Sequence, residues 1–106
     1  MKILLWCDDI MSRTRIESAW KAAGAHVLRK NASEQPDLVV MDLTAHNALT
    51  EIERLRAAWP EVKILAFGPH VDGAAFKQAK AAGASELVAR GKVVERVLAR
   101  LQGPEA

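Results

Sequence analysis

The sequence predicts a doubly wound α/β domain, in which helices cover both faces of a parallel β-sheet. Five short apolar runs alternate with segments whose apolar residues recur at helical spacing. Two of these runs, Ile3–Cys7 and Leu38–Leu43, are apolar on both faces, which is typical of strands buried between helices. The chain has 106 residues, half of them hydrophobic. We therefore predict one domain over residues 1–102, followed by a loose tail at 103–106.

The predicted elements alternate regularly along the chain. The first helix follows two aspartates and ends at Gly24, a residue suited to a helix C-terminus. The predicted strands are Ile3–Cys7, His26–Arg29, Leu38–Leu43, Val62–Phe67 and Glu86–Ala89. The predicted helices are Ser12–Ala23, Ala48–Trp59 before Pro60, Gly73–Ala82 between a cap at Asp72 and Gly83, and Val93–Leu101. This alternation indicates right-handed crossovers between parallel strands.

The connection between the second and third predicted strands is unusually short. Residues 25–35, between Gly24 and Pro36, must form both the second strand and the whole return to the third. A helical crossover needs about a dozen or more residues for the connection alone. We therefore predict that the helix after the second strand is missing or very short. An extended return would leave a patch of that sheet face uncovered.

Composition and charge exclude several classes of protein. The net charge is only +2, and the cations are mixed with acids along the chain, so no arm for nucleic acid is present. No run approaches the roughly 20 apolar residues of a membrane span, and the N-terminus does not resemble a signal peptide. The single cysteine, Cys7, cannot form an intramolecular disulfide, and no pair of residues has zinc-ligand spacing. We expect a soluble cytoplasmic protein that binds neither nucleic acid nor membranes.

Acidic and basic residues follow the predicted strands. Asp8 and Asp9 follow the first strand, Asp42 lies at the end of the third, Gly68 follows the fourth and Arg90 follows the fifth. Ligands of open parallel sheets bind beyond the carboxyl ends of the strands, so these residues are expected at one edge. Mg²⁺ is bound by one or two carboxylates together with waters and phosphate oxygens. The pattern is typical of Mg²⁺-dependent phosphoryl transfer to an aspartate, with Asp8, Asp9 and Asp42 as candidate metal ligands.

Two stretches carry a family resemblance. Residues 36–42, PDLVVMD, and 79–90, AKAAGASELVAR, resemble the receiver domain of two-component response regulators, and the likeness extends in order over the whole chain. The resemblance implies a flavodoxin-like fold with strand order 2-1-3-4-5. It makes Asp42 the candidate phosphoacceptor and places the acidic pair of the family on either Cys7 and Asp8 or Asp8 and Asp9.

The chain also departs from the pattern of that family. Gly68 falls where the family has a switch hydroxyl, and Arg90 falls where it has a lysine. The loop after the candidate phosphoacceptor is short. Because phosphoryl transfer depends on positioning and electrostatics, these changes favour a stand-alone pseudo-receiver over a working switch. Such a protein would be a regulatory protein-interaction module, would not be an enzyme and would require no cofactor.

Two other functions remain open from the sequence. A phosphorylatable single-domain response regulator would take a phosphoryl group on Asp42 from a histidine kinase, with Mg²⁺ bound. The segment Ile3–Ser12 also loosely resembles the start of phosphotransferase-system IIB domains, in which Cys7 would be a phosphocarrier. Against that, Asp8 and Asp9 would repel a phosphate and raise the pKa of the thiol. Structural alternatives are that Asp42 bonds to nearby N–H groups or to Arg90, and that the two acids cap the first helix.

The partner of a pseudo-receiver would be a histidine kinase or an output protein. We expect it to bind the surface formed by the helix before the fifth strand, that strand and the last helix. Arg96 and Arg100 are the candidate contact residues on the last helix. Trp20 or Trp59 could anchor a partner instead, and His70 could line the strand-end edge. The apolar last helix could pack wholly on the sheet or offer a dimer face, so both a monomer and a homodimer remain open.

Overall fold

The computed structural model describes residues 1–69 and 73–102, and it contains the predicted parallel sheet. All four neighbouring strand pairs are parallel, in the order β2-β1-β3-β4-β5. The strands are β1 (Lys2–Trp6), β2 (His26–Leu28), β3 (Leu38–Asp42), β4 (Lys63–Gly68) and β5 (Glu86–Ala89). The helices are α1 (Ile10–Ala22), α2 (Ala48–Ala58), α3 (Gly73–Ala82) and α4 (Val93–Leu101). The flavodoxin-like prediction is confirmed.

Helices cover both faces because successive side chains of a strand point to opposite sides of the sheet. On one face, Ile16 and Trp20 of α1 and Val97 of α4 pack against alternate strand residues such as Leu5 and Val40. On the other face, α2 and α3 cover the intervening residues of the same strands. Strand β3 is buried at every position. The central strand therefore ends inside the domain, which places its last residue, Asp42, in a nearly closed environment.

The short connection between β2 and β3 contains no helix, as predicted. The prediction that a patch of the sheet face is left uncovered there is wrong. Leu4 of β1 and Leu28 of β2 are both buried, because Ala32 of the connection and the Trp6 ring pack against the same cluster. A connection without a helix can thus still bring an apolar side chain against a sheet face, and here an aromatic ring adds to the cover.

Several elements begin or end one or two residues from the predicted positions, and two differences have a structural consequence. Helix α1 begins at Ile10, before the predicted Ser12, because the Asp9 carboxylate caps the helix by accepting a hydrogen bond from the Ser12 N–H. A 3-10 turn, Arg90–Lys92, precedes α4 and was not predicted. The predicted cap at Asp72, the edge position of His70 and the tail at 103–106 lie outside the described residues. No helix within residues 1–69 and 73–102 has the length and hydrophobicity needed to cross a membrane.

Candidate functional site

Asp42 is the last residue of β3, and only 1% of its surface is exposed. In the sheet register, Trp6 of β1 lies beside Met41, and Phe67 of β4 lies beside Asp42. Asp42 therefore lies between the ends of β1 and β4. A buried carboxylate is costly unless it is paired or hydrogen-bonded.

Both carboxylate oxygens of Asp42 have partners. The backbone N–H of Thr44 donates to Oδ1 at 2.9 Å, and the Thr44 hydroxyl donates to the same oxygen at 2.7 Å. The Arg90 guanidinium donates to Oδ1 through Nη2 at 2.8 Å. The Cys7 thiol lies on the other oxygen, with Sγ 3.4 Å from Oδ2. These four contacts satisfy the buried charge from three different strand ends.

Arg90 reaches Asp42 because β5 ends at Ala89 and the chain then enters the 3-10 turn. The guanidinium carbon lies 5.1 Å from the centre of the Phe67 ring, so the ring supports the cation from one side. Nη2 also donates to the Thr44 hydroxyl at 3.2 Å. A planar guanidinium can hold two such acceptors at fixed angles, which a flexible ammonium does less well.

Cys7 follows β1 directly, and its side chain is fully buried. Burial raises the pKa of the Cys7 thiol to about 11, and the neighbouring Asp42 carboxylate adds to the effect by its charge and its hydrogen bond. The thiol is therefore protonated at neutral pH and donates to the carboxylate. Nucleophilic chemistry needs a thiolate, which this environment disfavours.

Asp8 and Asp9 are exposed and bond to other partners. Asp8 accepts a hydrogen bond from the Lys30 ammonium on Oδ1 and one from the His46 backbone N–H at 2.8 Å on Oδ2. The bond from Lys30 is the main reason that the pKa of Asp8 is lowered. Asp9 caps α1, and the hydrogen bond from Ser12 lowers its pKa. Of the three residues that the resemblance offered for the acidic pair, Cys7, with its neutral thiol, is the one that contacts Asp42.

Comparison with known proteins gives structural matches only. No family model matches the sequence, and no curated protein matches it. A response regulator from Thermotoga maritima superposes with a TM-score of 0.75 at 21% identity, covering 95% of this chain and 93% of that one. A CheY-like receiver domain protein from Methanospirillum hungatei superposes with a TM-score of 0.79 at 16% identity, covering 98% and 95%.

A third match is a response regulator from Burkholderia pseudomallei with a TM-score of 0.81 and 23% identity. It covers 96% of this chain and 66% of that chain, and that structure holds a phosphorylated aspartic acid, a calcium ion and citrate. This chain has the fold of a response-regulator receiver domain. The ions and the modification belong to that other protein.

The residues at the carboxyl ends of the strands do not fit a Mg²⁺ ion. The part of the chain that the structure describes contains no group of three or more His, Cys, Asp or Glu residues arranged to hold a metal. Mg²⁺ prefers oxygen ligands in octahedral geometry. Asp42 is faced instead by a guanidinium and a thiol, while Asp8 and Asp9 are bonded elsewhere. Metal binding by the three predicted ligands therefore stays a prediction without support from the geometry.

Gly68, at the position of the receiver switch hydroxyl, is the buried last residue of β4. A Cβ at this position would lie 3.5 Å from the Leu43 Cβ and 3.7 Å from Phe76 Cε1, which are ordinary contact distances. Packing therefore does not require a glycine. A serine, which would restore the hydroxyl, would find room for its Cβ at this position.

The predicted partner residues Arg96 and Arg100 lie together on α4. Both pair with Glu86 of β5: Arg96 through Nη1 to Oε2, and Arg100 through Nη2 to Oε1 at 2.8 Å. Of the two candidate aromatic anchors, Trp20 is fully buried and donates through Nε1 to the Val94 carbonyl at 3.4 Å, so it belongs to the core. Trp59 is half-buried against the opposite cluster.

Three residues of the site were missed by sequence reasoning. Thr44 has a recognisable signal, because a hydroxyl or amide two residues from a strand-end Asp commonly closes a turn through that carboxylate. Phe67 and Lys30 have none, since they contact Arg90 and Asp8 only through the tertiary fold.

Proposed function

We propose that this chain is a pseudo-receiver, a regulatory module that binds a partner protein and is not switched by phosphorylation of Asp42. The observation that supports it most is the occupation of both Asp42 oxygens, by Arg90 and Thr44 on Oδ1 and by Cys7 on Oδ2. A phosphoacceptor must present an oxygen to an incoming phosphorus atom in line with its leaving group. Here that approach requires breaking contacts of a carboxylate that is 1% exposed.

The surrounding charges support the same function. Phosphoryl transfer to a carboxylate brings negative charges together and is helped by a bound divalent cation. The neutral Cys7 thiol stands beside Asp42, and Gly68 offers no hydroxyl to follow a phosphoryl oxygen. The coupling of a new charge to a change of shape, on which a phosphorylation switch depends, thus lacks its usual parts.

Treatment with acetyl phosphate and Mg²⁺, followed by intact-mass measurement, tests this proposal. The wild-type chain is expected to gain no phosphoryl group under conditions that label a working receiver domain run in parallel. A mass gain in the wild type that Asp42→Asn abolishes would overturn the proposal and support the phosphorylatable regulator. A mass gain that instead depends on Cys7 would support the phosphocarrier.

The partner surface that we propose is formed by α3, β5 and α4. On it, Arg96 and Arg100 converge on Glu86, so two fixed guanidinium groups and one carboxylate are presented together. Such oriented charges favour specificity and fast association with a protein of complementary charge. A histidine kinase or an output protein is the partner class that fits a receiver fold.

Affinity capture with matched variants tests this surface. Arg96→Ala with Arg100→Ala should lose a partner that the wild type retains. Arg54→Ala is the control, because Arg54 is also an exposed helix arginine paired with a glutamate, Glu51, but on α2. Equal capture by the wild type and the double variant would contradict the proposed surface.

A further inference from the structure

We infer that two cations of the chain itself, Arg90 and Lys30, take the place of a divalent cation at the strand-end edge, so that the folded domain neither requires nor binds Mg²⁺. The inference rests on the proposed function, since a pseudo-receiver has no phosphoryl transfer for a metal to assist. It goes further, because it assigns to these two residues the neutralisation of Asp42 and Asp8.

Of the two side-chain cations, Arg90 makes the larger contribution, because its partner Asp42 is buried. Asp42 is almost fully buried, and an unpaired charge there would be far more costly than on the surface. The guanidinium lies 2.8 Å from Oδ1 and is held over the Phe67 ring, so the positive charge is fixed where the carboxylate needs it. The Cys7 thiol fills the place beside Oδ2. The thiol is neutral, so Arg90 is the group that balances the charge of the Asp42 carboxylate.

Lys30 neutralises Asp8 from a different direction. It lies in the turn that begins the β2–β3 connection, and its ammonium lies 5.0 Å from the centre of the Trp6 ring. From there it bonds to Asp8 Oδ1, while the His46 N–H holds Oδ2 at 2.8 Å. Both side chains of this ion pair are partly exposed, so solvent screens it and its contribution is smaller than that of Arg90.

Removing Arg90 or Lys30 should therefore allow a divalent cation from solution to bind the carboxylate that is left unpaired. In Arg90→Met, the Asp42 carboxylate keeps Thr44 and Cys7 but loses its only described ion-pair partner. A divalent ion that binds the folded variant and not the unfolded chain stabilises it by mass action. Mg²⁺ should not stabilise the wild type, because Arg90 already balances the charge of the Asp42 carboxylate.

Thermal unfolding with and without about 10 mM Mg²⁺, at ionic strength matched with NaCl, is the test. The wild-type Tm should not depend on Mg²⁺, whereas Mg²⁺ should raise the Tm of Arg90→Met by about 4 °C or more. Adding Asp42→Asn to that variant should remove the effect. Arg96→Met is the matched control, since it removes an arginine paired with Glu86, away from Asp42, and should show no Mg²⁺ dependence.

Two results would overturn the inference: a rise in the wild-type Tm with Mg²⁺ that Asp42→Asn abolishes, or an Arg90→Met variant that folds and ignores Mg²⁺. Paramagnetic broadening by Mn²⁺ gives a readout that does not depend on the folding of Arg90→Met. In the wild type, Mn²⁺ should leave the amide signals of Thr44 and His46 sharp. In Lys30→Met, a substitution at an exposed position, Mn²⁺ should broaden the amide signal of His46, which donates to Asp8. Sharp signals in Lys30→Met, or broadening in the wild type, would refute it.

The two proposals fail differently. A wild-type chain that binds Mn²⁺ at Asp42 but gains no phosphoryl group from acetyl phosphate would overturn this inference and leave the pseudo-receiver intact. A phosphoryl group on Asp42 would overturn the pseudo-receiver itself.

Discussion

Arg90 Nη2 lies 2.8 Å from Asp42 Oδ1, although 48 positions separate the two residues in the sequence. The ion pair joins the turn after β5 to the end of the central strand. Asp42 is buried at the end of β3 and Arg90 lies in the turn between β5 and α4, so their ion pair holds this turn against the strand-end edge. In the pseudo-receiver that we propose, the acid that marks the receiver fold thus acts as a fixed structural charge.

Replacing Asp42 by Asn should destabilise the protein. The substitution keeps the size of the side chain but removes the charge that compensates Arg90, and an amide accepts at one oxygen only. The free energy of unfolding, measured by urea denaturation, should fall by about 1–3 kcal/mol. In a site crowded with acids the same change would relieve repulsion, so a more stable variant would contradict our account of this edge.

Asp37→Asn is the control for that measurement. Asp37 also accepts a hydrogen bond, from the Lys2 N–H at 2.8 Å, but it is exposed. Its substitution should change the free energy of unfolding by less than about 0.5 kcal/mol.

Gly68→Ser should be tolerated and should not restore a switch. The new Cβ would meet Leu43 and Phe76 at 3.5–3.7 Å, so the free energy of unfolding should change by less than about 1 kcal/mol. Because Arg90 and Cys7 still occupy the Asp42 oxygens, acetyl phosphate should not label the variant. Labelling of Gly68→Ser on Asp42 would show that the missing hydroxyl alone inactivates the site.

Gly83→Ala should cost more stability than Gly24→Ala. Both glycines have positive φ, +127° and +97°, where an L side chain is strained. Only at Gly83 would the Cβ also lie 3.1 Å from the Cβ and Cγ of Arg56, which donates to the carbonyls of Gly83 and Val62. We expect losses of about 1 kcal/mol at Gly24 and about 2–3 kcal/mol at Gly83, measured by urea denaturation. Equal losses would show that Arg56 does not constrain the turn.

Stability should fall in alkaline solution because of Cys7. Its pKa is raised from 9.0 to about 11 in the folded state, so the folded protein binds the thiol proton more tightly than the unfolded chain does. This contribution is fully present below pH 9 and is lost as the pH rises through about 11. The urea midpoint should therefore drop more steeply over this range in the wild type than in Cys7→Ala. Parallel pH profiles would mean that the thiol is not buried beside Asp42.

The fold was predictable because its signals are local. Apolar runs on both faces marked β1 and β3, and the shortness of residues 25–35 showed that a helix was missing between β2 and β3. The burial of Leu4 and Leu28 was not predictable in this way, because it depends on where Ala32 and the Trp6 ring lie after folding.

The candidate site was predictable only in part, since Thr44, Phe67 and Lys30 were missed. Topology alone brings Asp42 and Arg90 to one edge, so their strand-end positions could be derived. The pairing of Arg90 with Asp42 was one of the alternatives that the sequence offered. The pairing of Lys30 with Asp8 depends on side-chain reach after folding, and no motif marked it. The capping role of Asp9 has a sequence signal, a carboxylate three residues before Ser12 at a helix start, but the same acid also fitted the expected metal site.

Titration of the ¹⁵N-labelled wild-type chain with beryllofluoride and Mg²⁺ tests the central claim most directly, because beryllofluoride mimics a phosphoryl group on an aspartate. We expect the amide signals of Asp42, Thr44 and Arg90 to keep their positions, since both Asp42 oxygens are already bonded. Saturable shifts of these three signals that disappear in Asp42→Asn would contradict the claim that Asp42 is a fixed structural charge.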